Sequence, residues 1–117
     1  MPFTHVTGLL VLQRGDNITT HILNYGSAIE AIRVRIFAGH SGALLSDTGD
    51  VKVPSRMTTA SSFLLPSAEE CWIEVETSSE SIVPICYFVH PAVPVQIISL
   101  YKGGDFAAFD PAGKRLW

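Results

Sequence analysis

The stretch IEAIRVRIF, residues 29–37, decides the class of fold. Its β-branched residues Ile32, Val34 and Ile36 alternate with two arginines, which is the pattern of a strand with one buried and one solvated face. A helix could instead gather three of the isoleucines on one side. We favour a strand because β-branched residues prefer strands and because glycines flank the segment closely on both sides.

Similar alternation recurs along most of the chain, between groups of turn residues. The predicted strands are Val6–Gln13, Ile18–Asn24, Ile29–Phe37, Val51–Val53, Met57–Leu65, Cys71–Thr77, Ile82–His90 and Pro94–Tyr101. Gly39–Asp50 is rich in glycine, serine and aspartate, so we expect a long loop or an irregular edge strand there. No stretch alternates strand with helix. The pattern therefore predicts an all-β fold, an immunoglobulin-like antiparallel sandwich of two sheets and about eight strands.

The composition is that of one globular domain. Of the 117 residues, 47% are hydrophobic and 16% are charged, and the net charge is -3, which excludes a disordered tail and a multi-domain protein. We expect residues 1–104 to form the sandwich and residues 105–117 to form a hairpin arm of the same domain. Because the charged fraction is below the usual value of about 25%, we expect a partner to cover part of the surface.

The distribution of charge and hydropathy argues against two classes of partner. The eight lysines and arginines are scattered from Arg14 to Arg115, without the basic cluster that binding to phosphates needs, so we expect no nucleic acid partner. The early apolar run Gly8–Leu12 is too short for a signal peptide core or a membrane span. We therefore expect no membrane partner, and a location in the cytoplasm or in a surface assembly formed without a leader.

Four short phrases between residues 17 and 91 carry a resemblance to a family. They are ILNYGS at 22–27, IRVRI at 32–36, VPS at 53–55 and WIEV at 72–75. In this order they resemble small bacterial immunoglobulin-like sandwich proteins, including single-domain surface-layer proteins of spore-forming bacteria. The resemblance implies the sandwich fold.

The two cysteines lie on neighbouring predicted strands. A hairpin with its tip at Ser78 and Ser79 would place Cys71 directly opposite Cys86, within the range of a disulfide for a non-hydrogen-bonded pair. The alternative is a pair of buried thiols on the core face, since a free cysteine behaves as a small hydrophobic residue. The chain has no Cys-x-x-Cys motif and its four histidines lack the spacing of metal ligands, so we expect no metal and no cofactor.

The triplet Asp47-Thr48-Gly49 suggests the one enzymatic alternative. Aspartic proteases bring two such loops together so that one carboxylate is ionised and the other is protonated. A chain of this length resembles the half-enzyme of the retroviral type, which must form a dimer. However, Asp50 would place a further negative charge beside the catalytic pair, and the glycine-rich flap is missing because no glycine lies between Asp50 and Lys102.

The C-terminal segment contains a turn signal. Asp110-Pro111-Ala112-Gly113 has the residues that a type I turn prefers at its first, second and fourth positions. Folding about this turn would set Phe106 opposite Trp117 and Phe109 opposite Lys114. An isolated hairpin is marginal in water, so the arm must pack either on its own sheet or on another copy of the chain. We predict exchange between copies, with an interface formed by Phe106, Phe109, Leu116 and Trp117.

These patterns predict a non-enzymatic structural or interaction module that acts through its surface and self-associates as a homo-oligomer. The alternative partner is a glycan, bound by aromatic side chains exposed on one face of the sandwich. The candidates for such a face are Tyr25, Trp72, Tyr87 and Tyr101.

Overall fold

The computed structural model describes residues 3–67, 69–89, 97–101 and 107–116, and within them the chain forms strands and no helix. The strands are β1 Phe3–Val6, β2 Leu10–Leu12, β3 Asn17–Asn24, β4 Glu30–Ala38, β5 Leu44–Asp47, β6 Val51–Val53, β7 Thr58–Leu64, β8 Glu69–Thr77, β9 Ile82–Val89, β10 Ile97–Tyr101 and β11 Ala107–Phe109. The described part of the chain accordingly has no helix of the length and hydropathy needed to cross a membrane.

The strands form two antiparallel sheets. The seven-stranded sheet has the order β11-β1-β8-β4-β5, with β2 also paired to β8 and β6 also paired to β4. The four-stranded sheet has the order β10-β9-β3-β7. The prediction of an all-β sandwich of two antiparallel sheets is therefore confirmed.

Strand β4 shows why the two sheets pack against each other. Its residues Ile32, Val34, Ile36 and Ala38 are all buried, and the arginines between them lie on the opposite face, as the period of two requires. The same alternation buries Cys71, Ile73, Val75 and Thr77 of β8. Facing them, β3 and β9 contribute Ile18, Ile22, Ile82 and Cys86 to the same hydrophobic core. The helical alternative for this segment is wrong.

The first predicted strand, Val6–Gln13, is divided in two. β1 ends at Val6 and β2 begins at Leu10, although both pair with β8. Val6 pairs with Glu74 and Leu10 pairs with Cys71, so the chain gains one residue relative to β8 between the two pairs. An extra residue in one strand of an antiparallel pair makes a bulge, and the continuous strand predicted from alternation alone is wrong at this point.

The predicted hairpin between Cys71 and Cys86 is also wrong. β8 lies in the seven-stranded sheet and β9 lies in the four-stranded sheet, so the chain crosses between the sheets after Thr77. Serines hold this crossing to both sheets. The backbone N–H of Ser78 donates to the carbonyl of Ala31 at 3.1 Å, and the carbonyl of Ser81 accepts from the N–H of Tyr25 at 3.0 Å.

The buried side chain of Asn24 holds another of the crossings between the sheets, the one from β3 to β4. Its amide nitrogen donates to the carbonyls of Ala28 at 2.8 Å and Val53 at 2.9 Å. Its amide oxygen accepts from the backbone N–H of Gly26 at 2.9 Å. A Cβ atom at Gly26 would lie 2.6 Å from Oγ of Ser81, so only glycine fits there without displacing the neighbouring corner.

The C-terminal turn forms as predicted, but its register does not. The N–H of Gly113 donates to the carbonyl of Asp110 at 2.9 Å, and Gly113 has a φ of 85°. Phe109 pairs with Arg115 and not with the predicted Lys114. The reason is that a glycine in the left-handed region after a type I turn adds a bulge residue to the loop and shifts the pairing by one.

The arm pairs with its own sheet in this single chain. β11 is the antiparallel neighbour of β1, with Val6 opposite Ala107 and Thr4 opposite Phe109, and Ala108 is buried. This is the arrangement of the alternative interpretation, in which the arm folds back. Exchange of the arm between copies stays a prediction, and Phe106 and Trp117 lie outside the described residues.

The position of Cys71 in the core gives a stability prediction. Its side chain is fully buried, so Cys71→Ser should place a hydroxyl among apolar groups and lower the free energy of unfolding by about 1–3 kcal/mol. Urea unfolding measures the change, and Cys71→Ala is the control that removes the sulfur without adding a polar group. A neutral Cys71→Ser variant, with thiol reagents labelling both cysteines in the native protein, would contradict the burial.

Candidate interaction surface

The outer face of the seven-stranded sheet is charged. Arg33 and Arg35 of β4 lie opposite Glu76 and Glu74 of β8 in the strand register. Arg35 forms ion pairs with both glutamates, at 3.4 Å from Glu74. These three side chains are about one quarter exposed, so each of their charges has a partner and contact with water.

The four-stranded sheet is different, because none of the residues of β3, β7, β9 and β10 is Asp, Glu, Lys or Arg. Large apolar side chains are exposed on the outer face of this sheet. Leu64 of β7 is 66% exposed, and Val83 and Ile85 of β9 are 40% and 38% exposed. We call this sheet, with its outer face and its free edge at β7, the uncharged sheet.

A histidine and a tyrosine occupy the middle of the outer face of the uncharged sheet. Nε2 of His21 lies 3.1 Å from the hydroxyl of Tyr87, and the two rings stack with their centroids 5.4 Å apart. Beside them, the hydroxyls of Thr19 and Ser62 lie 3.2 Å apart. The polar groups on this face therefore bond to each other across strands, which lowers the cost of covering them.

Asp47, the catalytic residue of the aspartic protease alternative, lies in an ion pair. Its two carboxylate oxygens accept from Nε and a terminal nitrogen of Arg33, at 2.9 and 2.5 Å. The hydrogen bond with Arg33 and a second one from the N–H of Gly49 lower the pKa of this carboxyl well below its ordinary value of 3.8. An aspartic protease pair needs one protonated carboxyl, and this arrangement favours the ionised form. The triplet acts here as the turn between β5 and β6.

The two cysteines lie in the core and away from any surface. Both are buried and neither forms a disulfide. The hydroxyl of Thr20 is 3.8 Å from the sulfur of Cys86, and burial raises the pKa of the Cys86 thiol to about 12. Since the thiolate is the reactive form of cysteine, Cys86 is a packing residue in this structure.

The aromatic residues predicted for a glycan face lie in different places. Tyr25 is in the loop after β3, with the guanidinium of Arg56 at 4.1 Å above its ring. Trp72 stacks on Phe37, with centroids 5.1 Å apart, on the charged face. Tyr87 is on the outer face of the uncharged sheet, and Tyr101 is in β10. The described aromatic rings therefore do not form one platform.

The remaining predicted interface residues lie on the arm. Phe109 lines an open cleft of about 510 Å³ together with Val6, Ala107 and Arg115, and Leu116 is 38% exposed. Among the described residues, no three or more His, Cys, Asp or Glu side chains are placed together so as to hold a metal ion.

The alternation of residues does not distinguish β7 or the uncharged sheet from the other strands. The sequence does contain a sign of an uncharged surface, because the segment from Met57 to Ala68 has no charged residue. A count of charges for each predicted strand would have separated these strands from β4 and β8. The grouping of β3, β7, β9 and β10 in one sheet is a result of topology and is visible only in the structure.

Comparison with known proteins gives structural neighbours and no family. No protein-family model and no curated protein matches the sequence. The crystal structure of Thermotoga maritima 1070 is similar to 86% of this chain and 90% of that chain, with 15% identity and a TM-score of 0.56. The Anabaena sensory rhodopsin transducer matches 64% of this chain and 96% of that chain, with 19% identity and a TM-score of 0.43. The first of these likenesses supports the fold.

The ion pair of Asp47 predicts a particular dependence on pH. Because the folded-state pKa of Asp47 is lowered, its contribution to stability is fully present above its unfolded pKa and is lost as the pH falls towards the folded value. Asp47→Asn should therefore be less stable than the wild type at neutral pH, and the gap should narrow below about pH 4.

Urea unfolding between about pH 2.5 and 7 measures this gap. Asp50→Asn removes the neighbouring loop carboxylate and is the matched control, for which we expect a smaller effect. A gap for Asp47→Asn that stays constant over the whole range would show that Asp47 is not held in the ion pair.

Proposed function

We propose that this protein is a non-enzymatic interaction module that self-associates through its uncharged sheet. The observation that carries the proposal is the absence of any Asp, Glu, Lys or Arg from β3, β7, β9 and β10, beside a charged face on the other sheet. Charged residues are depleted at the centres of protein interfaces, because burying a charge without a partner is costly. Covering the uncharged sheet avoids that cost.

A second copy of the same chain is the partner that this charge distribution fits. In a two-fold interface the same patch meets itself, so a patch with a net charge would repel its own copy. The outer face of the uncharged sheet carries exposed Leu64, Val83 and Ile85 and no charge that could repel. The low charged fraction of the whole chain, 16%, supports the same proposal.

A structural role, as in the bacterial immunoglobulin-like sandwich proteins that the sequence resembles, is part of this proposal. Its support is the architecture of two antiparallel sheets packed face to face. The chain also passes from one sheet to the other between β8 and β9, as a two-sheet sandwich allows. A role in surface assembly would use the same self-association.

The two alternative functions have less support. A glycan-binding face needs aromatic rings on one surface, and Tyr25, Trp72 and Tyr87 lie on three. A dimeric aspartic protease needs the carboxylate of Asp47 at a dyad, and that carboxylate is bound to Arg33. An acid peptidase assay and a glycan array test these alternatives directly.

The proposal predicts self-association that salt does not weaken. We expect light scattering to give a mass above the 12.7 kDa of one chain, decreasing towards it on dilution. Raising the sodium chloride concentration from about 0.05 to 0.5 M should leave the association unchanged or strengthen it, since salt screens charges but not apolar contacts.

Two results would contradict the proposal, and each would refute a different part of it. A chain that remains a monomer at every concentration tested would refute self-association. An association that weakens steeply with salt would place the contact on charged residues such as those of β4 and β8, and would refute the role of the uncharged sheet.

A further inference from the structure

One edge of the uncharged sheet is open. β7 pairs with β3 along its whole length, from Leu64 opposite Asn17 to Thr58 opposite Leu23, without a register shift. On its other side, no strand among the described residues pairs with β7. β7 is therefore an edge strand of seven residues.

The phase of the ladder shows which backbone groups face the open side. The N–H of Asn24 donates to the carbonyl of Met57 at 3.0 Å, and the N–H of Leu65 donates to the carbonyl of Asp16 at 2.9 Å. Residues of an antiparallel strand direct their backbone groups alternately to one neighbour and to the other. The odd-numbered residues of β7 therefore bond to β3, and the even-numbered ones point to the open edge.

Four residues have backbone N–H and C=O groups on this open edge: Thr58, Ala60, Ser62 and Leu64. Within the described part of the chain, these backbone groups have no hydrogen-bond partner. Their side chains are exposed on the outer face. A row of free donors and acceptors on a regular strand is a template for pairing with another strand.

The protein protects the neighbouring edge of the other sheet and leaves β7 unprotected. β5 has four residues, ends at Asp47 and pairs across a register shift in β4, and β6 has three residues with Lys52 in the middle. Short strands, bulges and charges are the devices by which proteins block edge-to-edge pairing. The sequence of β7, TTASSFL, contains no charge, no proline and no glycine.

We infer that β7 pairs antiparallel with β7 of a second copy, about a two-fold axis at Ser61, to form one continuous eight-stranded sheet. This register places Thr58 opposite Leu64 and Ala60 opposite Ser62 of the second copy. These are the four residues whose backbone groups are free, so all of them bond. Ser61 meets its own copy as a non-hydrogen-bonded pair.

The side chains fit the same register. Pairing residues that are both even or both odd in number keeps inner side chains on the inner face, whereas a shift by one residue would invert every side chain. Thr59 lies opposite Phe63 of the second copy, and both face the interior of the sandwich. The outer face stays uncharged across the junction.

This inference rests on the proposed function, because it specifies how the uncharged sheet self-associates. A second copy is the occupant we assign, since the edge is complementary to itself in both its backbone groups and its lack of charge. Contact through the outer face of β9 and exchange of the C-terminal arm are the other outcomes that the experiment separates.

A charge-swap experiment tests the register. In the double variant Thr58→Lys/Leu64→Lys, lysines would lie opposite lysines twice in each dimer, and Thr58→Glu/Leu64→Glu would do the same with glutamates. We expect each variant to raise the dimer dissociation constant by about 100-fold or more. A 1:1 mixture should regain the mass of two chains, with one chain of each variant.

A backbone variant tests the hydrogen bonds separately. Ala60→Pro removes an N–H that points to the open edge and leaves the ladder with β3 complete, and proline is tolerated in edge strands in this orientation. We expect a folded monomer by circular dichroism and light scattering. The matched control is Leu9→Lys/Val11→Lys, which adds two charges at exposed apolar residues in and beside β2 of the other sheet and should leave the dimer intact.

Each contrary outcome has a separate meaning. A wild type that is monomeric at every concentration would refute the proposed function and this inference together. A wild-type dimer that survives the β7 variants, but is lost in Val83→Lys/Ile85→Lys on the outer face of β9 or in Leu116→Asp on the arm, would leave self-association standing and overturn the pairing of β7. Failure of the Lys and Glu variants to combine would overturn the register.

Discussion

The buried side-chain amide of Asn24 is the interaction on which the crossing from β3 to β4, and its contact with the corner between β8 and β9, depends. It bonds to the carbonyls of Ala28 and Val53 and to the N–H of Gly26, and its oxygen lies 3.4 Å from the hydroxyl of Ser81. One side chain thus joins the end of β3, the loop that follows, β6 and the corner between β8 and β9. An apolar residue at this place would leave buried backbone groups without partners, which is more costly than losing one hydrogen bond.

The sequence was sufficient to predict which face of β4 is buried. Alternation in β4 identifies Ile32, Val34 and Ile36 as core residues, and the structure buries all three. Alternation does not identify the neighbour of a strand. Cys71 and Cys86 face the core whether their strands form a hairpin or lie in opposite sheets, and the hydrogen bonds that select the second arrangement join residues far apart in the chain.

The candidate surface was predictable only in part, for a similar reason. A low charged fraction indicated that a partner covers part of the surface, but the aromatic residues favoured the C-terminal arm as the place of the interface. The sequence of β7 is that of any strand with one buried face. What makes it a candidate for pairing is its position at the edge of the sheet, and that position is determined by β3, β9 and β10 together. In the arm, the turn at Asp110 was predictable, and the bulge at Gly113 that sets its register was not.

The crossing between β8 and β9 has a consequence for the rate of folding. It makes β9 pair with β3, so that Thr20 contacts Cys86 across 66 positions of the chain, and it leaves β8 to pair with β1 and β4. Nearly every long strand must therefore find a partner that is distant in sequence. Such topologies fold over milliseconds to seconds, because the entropy of closing large loops is lost before the contacts form. Until β9 reaches β3, the side of β3 that faces away from β7 has no partner strand, and the contact between Thr20 and Cys86 in the core cannot form.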